Sequence, residues 1–118
     1  MKYKSFRDMD VWKKAFELSV EVHKISSKLP RCEDYGLTSQ IRRSSKSVNA
    51  NIAEAFGRNT SPDKCRIYIF SGGSAHETQN HLIYGTDCGY FNKLKSDNLV
   101  NKSDTLVHDI NKIIRSLS

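Results

Sequence analysis

The sequence predicts an all-α protein, an antiparallel up-down-up-down four-helix bundle, and three observations carry that prediction. Apolar residues recur in alternating steps of four and three at Val11, Ala15, Leu18, Val22, Ile25 and Leu29, and again at Leu99, Ser103, Leu106, Ile110, Ile113 and Leu117. Such spacing lines one stripe of an α-helix, and so narrow a stripe has to be covered by partner helices. Start and stop signals divide the chain into four segments of helical length. The connections between them are short, which makes sequential helices antiparallel neighbours. A length of 118 residues suits one domain, spanning 1–118, with one core.

The first helix is expected to start with Asp8 as its N-cap, a carboxylate that accepts from an orphan backbone N–H. It ends before Leu29-Pro30, because proline disfavours the helical conformation in the residue that precedes it. A polar turn, Arg31-Cys32-Glu33-Asp34, leads to a second helix that runs to about Phe56. One face of it carries Leu37, Ile41, Ser44 or Ser45, Val48, Ile52 and Ala55, and Gly57 suits its exit. Ser61-Pro62-Asp63 is a strong start signal: a capping serine, a proline in the first turn, and an aspartate that complements the helix dipole. The third helix reaches about Cys88 with a ragged apolar stripe and a small-residue patch, Gly72-Gly73-Ser74-Ala75, at its centre. Glycine costs about 1 kcal/mol there. Either another helix approaches closely or the helix kinks. Gly89-Tyr90-Phe91-Asn92 ends this segment, and Ser96 or Asp97 starts a fourth helix that continues almost to Ser118.

The hydrophobic fraction, 37%, implies a thin core, part of which a second subunit would complete. With 19 basic and 13 acidic residues the net charge is +6, which favours a polyanionic partner such as RNA, although a soluble helical surface is mixed in charge anyway. Cys32, Cys65 and Cys88 are odd in number and form no CxxC pair, a pattern of reduced thiols in a cytoplasmic protein. The amino-terminal residues lack the apolar core of a signal peptide, and no run is long enough to span a bilayer.

Several stretches resemble the 23S rRNA intervening-sequence protein family, also called four-helix bundle proteins. They are Phe6-Arg7-Asp8-Met9-Asp10-Val11-Trp12; Tyr35-Gly36-Leu37-Thr38-Ser39-Gln40-Ile41-Arg42-Arg43-Ser44-Ser45 with Ser47-Val48; Asn51-Ile52-Ala53-Glu54 with Gly57-Arg58; and Gly73-Ser74-Ala75-His76-Glu77 with Gly89-Tyr90. They follow in order over nearly the whole chain. Two positions depart from the family pattern: Ala55 replaces a usual glycine, and Asn49 or Ala50 a frequent proline. Both changes favour a continuous helix. The resemblance implies a left-handed bundle and a ring-shaped homo-oligomer, a pentamer. It extends to the accessory protein of diversity-generating retroelements, a basic barrel that binds nucleic acid.

On the second helix Arg42 and Lys46 project together, with Arg43 farther round. Arginine forks suit phosphate oxygens, so these three residues are candidates for nucleic-acid contact. The alternatives are a solvated face or an ion pair, for which Glu54, three turns beyond Arg43, is a suitable partner across a subunit boundary. Ser47, Asn51, Glu54 and Arg58 form a polar stripe that reads as structural or interfacial, not catalytic. A second basic set, Lys2, Lys4, Arg7, Lys13 and Lys14, interleaves with Tyr3, Phe6 and Trp12. Lys13 and Lys14 are candidates to track phosphate, while Trp12 suits an anchor at the end of the bundle. Lys24, Lys28, Arg31, Lys64 and Arg66 are too dispersed to assign. His76 and His81 lie about 140° apart on a helix and cannot share a metal as an i, i+4 pair would. Glu77 and His81 have the spacing of an ordinary surface pair. No phosphate loop, HExxH or nucleophile elbow occurs. The expectation is a non-enzymatic, cofactor-free homo-oligomer that binds RNA, or DNA, through phosphates. The rival is a scaffold whose basic surface meets an acidic or reverse transcriptase-like protein.

Overall fold

Helix α1 (Asp10–Ser26) begins later than its sequence signal predicts, because the expected cap is used one turn earlier. The Asp8 carboxylate accepts from the Ser5 backbone N–H at 3.2 Å, and Ser5 Oγ accepts from Arg7 N at 3.1 Å. This reciprocal box closes a 3-10 turn, Phe6–Asp8, and leaves α1 to start after Met9 with no side-chain cap. The computed structural model describes residues 3–118, so Lys2 lies outside the described residues.

A second 3-10 turn, Arg31–Glu33, leads into α2 (Leu37–Phe56). Gly36 has no side chain to cap that helix, and Glu33 Oε1 does so from four residues back, accepting from Leu37 N at 3.0 Å. Helix α3 (Ser61–Asp87) is capped by Thr60, whose Oγ1 accepts from Asp63 N at 3.2 Å. Ser61 is therefore the first helical residue and not the cap. Helix α4 (Lys93–Leu117) starts earlier than Ser96, because Asn92 Oδ1 accepts from Lys95 N at 3.0 Å. Asn92 thus opens α4, where the sequence reading has it closing α3. No strand occurs among the described residues.

Helix α3 passes through Gly72 and Gly73 without a break, and a side chain at either would meet open space. The close approach expected there occurs at Gly85 instead, where a methyl group would overlap the Phe91 ring. The chain folds back onto Gly85 through a Schellman ending: Gly89 N donates to Thr86 O at 3.0 Å and Tyr90 N to Gly85 O at 2.8 Å. Gly89 takes the left-handed conformation this requires, with φ +84°.

Cross-helix bonds fix the packing. Arg42 reaches Ser26; Ser44 meets Thr78 at 2.9 Å; Ser71 Oγ donates to Val48 O at 2.8 Å. Ser96 Oγ donates to Leu82 O at 3.2 Å and Ser103 Oγ to Ala75 O at 3.1 Å. Along α2–α3 and along α3–α4, advance on one helix is retreat on the next, so these neighbours run antiparallel. The molecule is a rod with extents of 44 × 24 × 21 Å.

The core holds the expected stripes, Val11, Ala15, Leu18 and Val22 on α1, Ile41, Val48, Ile52 and Ala55 on α2, and Leu99, Leu106 and Ile110 on α4. Ile25, Leu29, Ile113 and Leu117 are only partly buried, toward the ends. Between these residues run buried serines: Ser71, Ser96 and Ser103 donate to the backbone of a neighbouring helix, Ser44 meets Thr78, and Ser19, Ser26 and Ser45 bond carbonyls of their own helix. This is how a chain with so low an apolar fraction closes its interior.

Candidate nucleic-acid interface

Arg42 is half-buried and turned inward. Its Nε donates to Ser26 Oγ at 2.8 Å and one Nη reaches His23 O at 3.5 Å, so the guanidinium sits on the C-terminal end of α1, where the helix dipole favours a cation. Arg43 leans toward α3 and pairs with Glu77 at 3.2 Å. The partner anticipated for it, Glu54, is taken by Arg58 one turn along, and the nearby carboxylate raises the Arg58 pKa through hydrogen bonding and charge. Lys46 is exposed, with no carboxylate within 4 Å among the described residues.

Arg42 and Lys46 line one groove between α1 and α2, about 630 Å³ in volume, together with Lys24. Exposed Phe16 and Val20 give it an apolar wall. Arg43 lies on the other side of α2, as its position in the helical repeat predicts. Lys13 and Lys14 stand apart from this group: ten or eleven residues before Lys24 on α1, they are about 15–17 Å away along the axis. Lys13 is exposed, and Lys14 pairs with Asp109 at 3.1 Å. Arg43 and Lys14 are held only by surface ion pairs, worth about 0–1 kcal/mol each, and such pairs can yield to phosphate.

Trp12 is committed to the fold. Its ring stacks on Phe16 at 4.9 Å between centroids and meets the Phe6 ring edge-on at 5.2 Å. In the polar stripe of α2, Asn51 donates to Ser47 at 3.1 Å, Ser74 of α3 to Ser47 at 2.9 Å, and Arg58 pairs with Glu54. His81 is buried, with Nε2 3.2 Å from Glu77, the carboxylate that also holds Arg43. Tyr90 donates to Glu33 Oε2 at 3.0 Å, and that bond pushes its pKa up to about 12. Among the described residues no three His, Cys, Asp or Glu side chains are grouped to hold a metal, and no helix is long and apolar enough to cross a membrane.

The sequence reading missed two features. One is Lys24, dismissed as dispersed, which lines the Lys46 groove and a second groove between α1 and α4. Its signal was available, since Lys24 and Lys28 are one turn apart on the polar side of the α1 stripe. The other is the outer face of α3, which carries Ile69, Phe70, Ile83 and Tyr84, each more than half exposed. Apolar residues on both faces explain why the α3 stripe looked ragged.

The fold recurs in a crystal structure from Bacteroides thetaiotaomicron, described as a protein of unknown function from the S23 ribosomal protein family. The TM-score is 0.82 at 24% identity, over 88% of this chain and 97% of that one. A comparison with curated proteins finds no match. The family model for 23S rRNA-intervening sequence proteins matches residues 7–112. The chain therefore belongs to the 23S rRNA-intervening sequence protein family.

Proposed function

We propose that this protein is a non-enzymatic, self-associating helical bundle that binds nucleic acid, RNA first, through phosphate contacts. The observation that carries this reading is the basic edge around Lys24 and Lys46, which line one groove with Arg42 and have no carboxylate partner among the described residues. Lysines that are not neutralised within the fold are available to replace the counterions of a polyanion. The net charge of +6 has the same sign, and a family named for an rRNA insertion makes RNA the first polyanion to test.

Self-association is part of the proposal. The outer face of α3 exposes two apolar pairs, Ile69 with Phe70 and Ile83 with Tyr84, that a second copy would cover. A ring of five would set five basic edges side by side, and linked sites bind with avidity. Filter binding of a structured RNA and a duplex DNA at low salt tests the reading. Retention of RNA by the intact protein, weakened in Lys46→Ala, is the expected result. No retention of either nucleic acid removes the proposal and favours a protein partner for the basic surface, such as the reverse transcriptase-like partner that the retroelement resemblance implies.

A further inference from the structure

The seam between α1 and α4 is laddered by charge. Lys14 pairs with Asp109 at 3.1 Å, and Glu21 pairs with Lys102 at 2.9 Å. From one rung to the next the chain advances seven residues on α1 and retreats seven on α4, the step of two antiparallel heptad helices. Helix α1 ends at Ser26, so the ladder stops there, and the positions seven residues further on, Lys28 in the turn after α1 and Lys95 on α4, are both cations. Both line the same groove, with a volume of about 500 Å³, and Lys24 is there one turn before Lys28. None of the three has a carboxylate within 4 Å among the described residues. Glu21, at the groove's edge, is occupied, with both its oxygens accepting from Lys102 Nζ at 2.9 and 3.1 Å.

Cations gathered along one groove repel each other. An anion between them would convert the repulsion into two charge-assisted contacts. The groove also offers more than charge, because Ile25, Phe91 and Leu99 give it an apolar floor. Its volume falls in the range of small-molecule sites. A ligand that satisfies both features carries a phosphate and a flat, weakly polar body.

We propose that the α1–α4 groove is a nucleotide site, with the phosphate between Lys28 and Lys95, Lys24 beside it, and the base over the Ile25–Phe91–Leu99 floor. This deepens the nucleic-acid reading, and rests on it where the nucleotide belongs to a strand. It would place a single unpaired nucleotide of an RNA loop in the groove while neighbouring phosphates pass Lys24 toward Lys46.

Fluorescence anisotropy with a labelled single-stranded RNA oligonucleotide tests the site, with uridine monophosphate as competitor. Lys28→Ala and Lys95→Ala each weaken oligonucleotide binding about tenfold, the scale of one charge-assisted contact. Lys112→Ala removes the same charge from an exposed position outside both grooves and changes affinity less than about twofold, the scale of a surface substitution. Asn98→Trp fills the groove without changing charge and weakens binding as the lysine variants do. Competition by the free monophosphate assigns the groove to free nucleotides as well, and groove-dependent binding without competition assigns it to the strand. If the protein binds the oligonucleotide and Lys28→Ala behaves like Lys112→Ala, the nucleotide site is overturned and the nucleic-acid reading stands. If neither oligonucleotide nor monophosphate binds, both are overturned.

Discussion

At the scale of single residues, the fold turns on a few contacts that a one-atom change would disturb. Gly85 packs directly under Phe91, whereas Gly73 faces open space, so the same substitution has opposite effects at the two sites. Gly85→Ala forces the buried Phe91 ring aside and costs a net of about 1–2 kcal/mol after its gain in helix propensity. Gly73→Ala gains about 1 kcal/mol in the chain's own folding. Urea unfolding at low protein concentration measures both. Tyr90 gives a pH signature. Its hydroxyl is held by Glu33, so the folded chain keeps that proton up to about pH 12, while an unfolded tyrosine releases it near 10. The contribution is whole below about pH 10 and is lost as pH rises from there toward 12, because the unfolded chain then binds fewer protons than the folded one. Tyr90→Phe makes the alkaline fall in stability shallower, as urea unfolding at a series of pH values would record.

At the scale of elements, the ladder along α1 and α4 makes stability and binding separable. Lys28→Glu sets a carboxylate in the groove that Lys95 also lines, and a surface pair between them stabilises the fold by about 0.2–1 kcal/mol. The same change removes one of the groove's three cations, engages another and weakens oligonucleotide binding more than Lys28→Ala does; thermal melts and anisotropy on one preparation test the opposite signs. Helices α1, α2 and α4 were legible in the sequence because each has one apolar face, even where Ser44, Ser45 and Ser103 stand in for larger residues. Helix α3 was legible in extent but not in orientation, because Ile67, Ala75 and Leu82 face the core while Ile69 and Ile83 face out. Helix starts were misplaced where two capping groups competed. Asp8 closes a box with Ser5, and Thr60 stands just before the more obvious Ser61. The candidate site was legible as residue types only. That Arg42 would bond Ser26, or that Lys28 and Lys95 would line one groove, depends on how segments far apart in sequence pack, which a local pattern does not contain.

At the scale of the whole molecule, the exposed apolar residues of α3 lie outside the two lysine-lined grooves. The exposed apolar face belongs to α3, and the basic edge crosses α4, α1 and α2 from Lys95 through Lys28 and Lys24 to Lys46. A copy that covers α3 therefore leaves the cations of its neighbour accessible. If α3 is the contact of the proposed self-association, Ile69→Asp with Ile83→Asp gives 13.5 kDa chains that keep their helix content, as sedimentation velocity and circular dichroism would show. Unchanged sedimentation would mean that α3 is not the contact. The account as a whole stands on cations held outward by a serine-knitted rod. The most direct test is the affinity for one single-stranded RNA across a series of salt concentrations, in the unaltered protein and in Lys24→Ala with Lys46→Ala. The logarithm of affinity should fall linearly with the logarithm of salt, and the double variant should flatten that slope by about 0.7 for each lysine removed. Binding that ignores salt, or a slope that the two substitutions leave untouched, would contradict it.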